Sequence, residues 1–128
     1  MEEVLTIKIK IKNTREVVSP NGIVRMLSFE GRADSPYFRG MVMDGTDTQI
    51  QRRGDYNRLS ARYILHGVDY TGQPCKIFVE NNGEDTGIVI THPVIFTDSV
   101  ALSFLETEPL VGHLTTKDGL TIHIQLDK

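Results

Sequence analysis

The sequence predicts an all-β fold, an antiparallel sandwich or barrel, in a single domain over residues 1–128. Three observations predict it. The dominant hydrophobic period is two, the alternating runs are short and evenly spaced, and Gly, Pro, Asn and Asp punctuate them. Leu5, Ile7, Ile9 and Ile11 alternate with Thr6, Lys8, Lys10 and Lys12, the pattern of a half-buried strand. After the turn-forming SPNG, IVRMLSFEG supplies a strand near residues 23–31. RADSPY interrupts it and FRGMVMDG supplies a third. Further strands fall at 46–53, 56–66, 74–81, 86–92, 100–114 and 120–126, making roughly eight to ten in all. TDSVALSFLE could instead form a turn or two of helix capped by Asp98 or Ser99, but strand is the reading adopted there.

Hairpin registers follow from keeping apolar residues on one face. In HLTTKDGLTIH, a three-residue loop, Lys117-Asp118-Gly119, pairs Leu114 with Ile122 and sets His113 opposite His123. In DGTDTQIQRRGDYNRLSARY, Gly54-Asp55 suits a two-residue type II′ turn. It pairs Ile50 with Leu59, Gln49 with Ser60, and Asp47 with Arg62. In the next hairpin, setting Tyr63 and Leu65 on one face with Val79 and Ile77 brings Glu80 beside Arg62. A polar row, Asp47–Arg62–Glu80, results.

Composition bounds what such a chain does. It has 39% hydrophobic and 24% charged residues and a net charge of −3, with Lys and Arg dispersed among acids. A phosphate-binding surface needs clustered positive charge, so nucleic acid is excluded as a partner. The single Cys75 rules out an internal disulfide framework and lies in an alternating run that buries it. MEEVLTIKIKIKN has neither a signal peptide's apolar core nor a membrane-spanning run. These features read as a soluble cytoplasmic chain without a membrane partner. No nucleotide or dinucleotide fingerprint and no nucleophile elbow occurs, so no cofactor is expected. Arg53-Gly54-Asp55 spells an adhesion tripeptide, but a hairpin turn already accounts for it.

The row Asp47–Arg62–Glu80 has two readings. As an exterior ladder of opposite charges it contributes ~0.2–1 kcal/mol per pair. Facing a cavity, Arg62 becomes an anion clamp held by the two acids, and breaking such an enclosed pair costs on the order of 3–5 kcal/mol. Asp47 beside a cation is an orienter rather than a base. His66 is the base candidate by residue type and shares Arg62's side of the strand, but lies about 13 Å from it along the strand. His113 and His123 offer two nitrogens to a metal, which needs a third ligand that nothing in the sequence places nearby.

FEGRADSPYFRGMVMDGTDTQIQRRGDYNRLSARYIL resembles the small bacterial family known as domain of unknown function 3237. That family's pattern runs G-x-x-x-G-G-x-D-W-Q, a hairpin, A-R-Y, and an x-N-x-G segment. It is matched here by Gly40, Gly45, Asp47, Gln49, Ala61, Arg62, Tyr63, Asn81 or Asn82, and Gly83. The resemblance covers about residues 30–83. Thr48 stands where the family has Trp, Asp44 replaces a glycine, Ser60 replaces an acid, and Gly54-Asp55 reverses the usual turn order. The resemblance implies a single closed antiparallel β-barrel with a central cavity and carries no assigned activity.

Three functions are consistent with these readings. The first is a barrel binding a small polar or anionic organic ligand through Asp47, Gln49, Ser60 and Arg62, with Arg62 as anchor. The second is a cofactor-free isomerase, lyase or hydrolase in the same pocket, with His66 or Glu80 moving protons. The third is a structural subunit of a homo-oligomer.

Overall fold

The alternation that marks the N-terminal stretch extends well beyond it. In the computed structural model, which describes residues 2–127, it becomes β1 (Glu3–Ser19), the longest strand of a closed eight-stranded antiparallel barrel. The others are β2 (Gly22–Asp34), β3 (Phe38–Arg52), β4 (Asn57–Asp69), β5 (Pro74–Asp85), β6 (Val89–Thr97), β7 (Leu110–Thr115) and β8 (Thr121–Leu126). Each strand pairs with the next, and β8 closes the ring against β1 through Thr6↔His123 and Ile7↔Ile122. Closure leaves one apolar face per strand, turned inward. Leu5, Ile7, Val42, Leu65, Ile77 and Ile124 fill one end of the interior and are fully buried.

Two stretches depart from the expected elements. The runs at 38–45 and 46–53 are one strand, β3, interrupted by a bulge. Residues 43–45 stand against Tyr63 and Ile64, between the pairs Val42↔Leu65 and Thr46↔Arg62. Gly45 makes this passage possible, because a Cβ there would lie 2.5 Å from ring atoms of Phe29. The bulge also changes phase: Val42 points inward before it, Asp47 and Gln49 after it.

The stretch 100–114 is not a single strand. It holds a turn and the short helix α1 (Phe104–Thr107), and β7 begins only at Leu110. Ser99 Oγ accepts the Leu102 N–H at 3.2 Å, so the capping residue expected for the helical alternative does serve a turn. The physical reason is spacing. Leu102 and Leu105 are three apart, which sends them to opposite faces of a strand but to one side of a helical turn, and both are buried. This segment covers the filled end of the barrel. Ser99 Oγ donates to Asp69 Oδ2 at 2.7 Å, and Phe104 packs edge-on against Tyr37 with centroids 5.4 Å apart. β6 likewise starts later than expected, at Val89, because Asp85 and Gly87 form the preceding turn, with the Gly87 N–H donated to Asp85 Oδ1 at 3.0 Å.

The hairpin registers separate cleanly. β7–β8 has Leu114↔Ile122 and His113↔His123 as expected, with Gly119 in the left-handed region at φ +82°. β4–β5 has Tyr63↔Val79, Leu65↔Ile77 and Arg62↔Glu80, also as expected. β3–β4 is displaced by one residue: Asp47↔Ala61, Thr48↔Ser60, Gln49↔Leu59, and Thr46 rather than Asp47 opposite Arg62. The turn explains the slip. The Asp55 N–H is donated to Arg52 C=O at 3.0 Å, which makes Gly54 (φ +79°) the second central residue of the turn instead of the first. No helix among the described residues is long and apolar enough to cross a membrane.

Candidate functional site

One residue of slip changes which side chains share a face. On β4, Leu59, Ala61, Tyr63 and Leu65 point inward, so Ser60, Arg62 and His66 point out. Arg62 therefore does not line the barrel cavity. Its side chain is 64% exposed and its Nε lies 3.0 Å from Glu80 Oε2 on the outer wall. Ser60 Oγ donates to Asn82 Oδ1 at 2.6 Å on the same outer wall. His66 stands opposite Lys76 and Met41, and shares only a shallow exterior hollow with Arg62, Asp44 and Phe78. Thus the polar row splits: Arg62 and Glu80 are an exterior pair, and Asp47 belongs to the interior. An anion clamp built on Arg62 and proton transfer by His66 or Glu80 inside the barrel are both excluded by this geometry.

Behind the filled end lies a cavity of about 190 Å³, toward the β3–β4, β5–β6 and β7–β8 turns. Ile9, Ile11, Leu27, Phe29, Leu59 and Ile122 form most of its wall. Phe29 and Tyr63 meet edge-on, their centroids 5.6 Å apart. Four polar residues interrupt the wall: Asp47, Gln49, Asn81 and Thr91. Three follow from one inner row of directly paired residues, Leu27–Asp47–Ala61–Asn81 across β2 to β5, with Gln49 next along β3. Ala61 sits between Asp47 and Asn81, and its single methyl group leaves room between the two polar ends.

A relay of amides leads to the carboxylate. Asn57 Nδ2 donates to Gln49 Oε1 at 3.3 Å, and Gln49 Nε2 donates to Asp47 Oδ2 at 3.1 Å. Burial pushes the Asp47 carboxyl above its usual range, against the pull of the Gln49 side chain and the Ser60 backbone. Charged neighbours contribute nothing to that shift. Asp47 Oδ1, Asn57 Oδ1, Tyr63 OH, Asn81 Oδ1 and Thr91 Oγ1 are enclosed and have no hydrogen-bond partner among the described residues. Enclosed polar atoms are normally paired, so five in one small barrel are a concentration that calls for a cause.

Of the sequence candidates, Asp47 and Gln49 are brought together here. Asn57, Asn81 and Thr91 complete the polar set. Asn81 was legible as one of two asparagines in the family pattern, and it continues the inward alternation of Cys75, Ile77 and Val79. Cys75 is buried, and that burial pushes its thiol up.

His113 and His123 do face one another, with rings stacked at 4.7 Å between centroids, but on the outer wall. Both nitrogens of His123 are engaged, Nδ1 with Glu3 Oε1 at 2.9 Å and Nε2 with Thr115 Oγ1 at 2.8 Å. No group of three or more His, Cys, Asp or Glu positioned for a metal occurs among the described residues.

No protein-family model and no curated protein matches the sequence. Solved structures do resemble the fold. A protein of unknown function from Clostridium acetobutylicum ATCC 824 superposes with a TM-score of 0.80 at 22% identity, over 96% of this chain and 95% of that one. A conserved protein of unknown function from Rhodopseudomonas palustris gives 0.79 at 21% identity, over 98% and 95%. An enzyme from Penicillium herquei gives 0.79 at 16% identity, over 98% and 92%. At these identities the likeness is one of fold.

Proposed function

We propose that this chain binds a small, largely apolar organic molecule inside its barrel and orients it through Asp47 and Asn81. The observation that carries the reading is the inner row, in which an unpartnered oxygen of Asp47 and one of Asn81 flank the short Ala61 in a mostly apolar cavity. Apolar walls with a few placed polar groups are the usual make-up of ligand sites. The amide relay restrains the Asp47 carboxylate through one of its oxygens, which favours preorganisation of the other. Asp47 and Gln49 are also among the residues that carry the resemblance to domain of unknown function 3237, and the proposal extends to membership of that family.

Size sets the ligand class. An apolar cavity of about 150 Å³ admits benzene, so about 190 Å³ suits one ring with a short substituent. The test is a thermal-shift screen of single-ring fragments against the native chain and Ala61→Phe, which fills the gap between Asp47 and Asn81. Fragments should stabilise the native barrel and not the filled one. Equal stabilisation of both, in a variant with native circular dichroism, would move binding out of the cavity.

A second reading, cofactor-free proton transfer, is supported by the elevated Asp47 carboxyl in its apolar surroundings. Asp47 replaces His66 and Glu80 as the group that moves the proton. Exchange of a carbon-bound hydrogen of a bound fragment with deuterated solvent, lost in Asp47→Asn, is the outcome expected of it.

A further inference from the structure

The cavity wall also decides which charge a ligand brings. Asp47 is its one ionisable residue among the described lining residues. The nearest cation in register on that inner face, Arg25, lies one step farther along β2, opposite Gln49, and is held by Glu16 with Nε to Oε2 at 2.7 Å. The amides of Gln49 and Asn57 each spend a donor on the relay. Among the described residues, the enclosed side-chain atoms of the wall left without a partner are the acceptors Asp47 Oδ1 and Asn81 Oδ1 and the Thr91 hydroxyl, which can donate or accept. An anion would meet a carboxylate and, among the described lining residues, no cation. A hydroxyl would offer a single donor. A protonated amine offers two or three donors together with the charge that Asp47 lacks as a partner, and charge-assisted hydrogen bonds are roughly twice as strong as neutral ones.

Resting on the cavity reading above, we infer that the ligand is an organic ammonium compound with an apolar body of about one ring, its N–H groups on Asp47 and Asn81 and its ring between Leu27, Phe29 and Ile122. The match is of sign, donor number and volume together. It makes Asp47 the residue that selects amines over isosteric alcohols and acids.

Calorimetric titration with benzylamine, benzyl alcohol and benzoate, which share a ring and differ in the polar end, tests this. Benzylamine should bind about tenfold or more tighter than benzyl alcohol, and benzoate should not bind. In Asp47→Asn the amine should fall to the level of the alcohol. On the unaltered chain the amine's affinity should also fall with pH as Asp47 protonates, while the alcohol's stays level. Of the other charged groups along that face, Arg25 and Glu16 are paired with one another, and Asp85, opposite Asn57 at the β5–β6 turn, is outside the cavity wall and accepts the Gly87 N–H, which leaves Asp47 as the titrating partner. Benzyl alcohol or benzoate binding as tightly as benzylamine would overturn the ammonium assignment and leave the cavity reading standing. Failure of all three to bind would overturn both.

Discussion

Asp47→Asn is the perturbation that most directly probes the interior. Asn keeps the size of the side chain and an oxygen to accept from Gln49 Nε2, and removes the charge. An enclosed polar group without a partner costs roughly 1–3 kcal/mol, more for a charged one. Asp47 is only half-buried and its other oxygen is bonded, so the charge-dependent part is set at about 1 kcal/mol. The variant should therefore be more stable than the parent at neutral pH, by roughly 3–5 °C in Tm for a domain of this size.

The pH dependence gives the sign a second check. Because the folded carboxyl is raised, the native state holds its proton over a window in which the unfolded chain has released it. The parent's stability falls as pH rises through that window. The advantage of Asn is present above it and disappears below the ordinary carboxylate range. Urea unfolding of both chains between pH 4 and pH 8 reads this directly. A loss of 3 kcal/mol or more in Asp47→Asn, or a difference that does not change with pH, would mean that a cation compensates the carboxylate, and the account of an unpaired Asp47 would be wrong.

The exterior pair and the barrel end make further predictions. Arg62→Ala should cost less than about 1 kcal/mol, since the guanidinium is largely in solvent and pairs across an open surface; a cost of several kcal/mol in denaturant would show that the pair is enclosed. Asp69, whose carboxylate is held down to about 2 by hydrogen bonds from Thr71 and Ser99, contributes stability that is complete above about pH 4 and is lost as pH falls toward 2. Asp69→Asn should therefore narrow the gap between stability at pH 7 and at pH 3, and an unchanged acid profile would remove Asp69 as a staple between the β4–β5 turn and the segment over the barrel end.

Legibility in the sequence followed how many independent constraints acted on each element. At β7–β8, a glycine in the left-handed turn position and the alternation of Leu114 and Ile122 demanded the same register, and the structure has it. At β3–β4 the turn residues Gly54 and Asp55 fit two loop lengths, and apolar pairing of Ile50 with Leu59 supported the wrong one. The turn chooses the other loop length, and the bulge at residues 43–45 sets the phase of β3 beyond it, a change that leaves no composition signal except Gly45. Ile50 is consequently an exposed outer residue, while Leu59 lines the cavity. The inward side of Asp47 and Gln49 came from family resemblance, whereas Arg62 was carried inside with them by a register that is off by one. Leu102 and Leu105 illustrate a different limit: a single helical turn has too few residues to display its period. Asn57 and Thr91 had no marker at all, because a polar residue at an inner position looks like any other until closure defines the inside.

That closure also bears on why the interior holds polar groups. A barrel interior that served packing alone would gain about 25 cal/mol for every Å² of apolar surface buried by larger side chains at Asp47, Ala61 and Thr91. Here the same positions leave a cavity of about 190 Å³ and enclose oxygens without partners. Each such oxygen carries a desolvation cost of roughly 1–3 kcal/mol, a sizeable part of the 5–15 kcal/mol that holds a typical domain together. The other end of the same barrel shows that the fold does not require this, since Leu5, Ile7, Leu65, Ile77 and Ile124 are fully buried there and the buried Ser99 and Asp69 beside them are hydrogen-bonded to one another. Departures from good packing that gather around one carboxylate are the pattern expected where the interior is complementary to something other than itself.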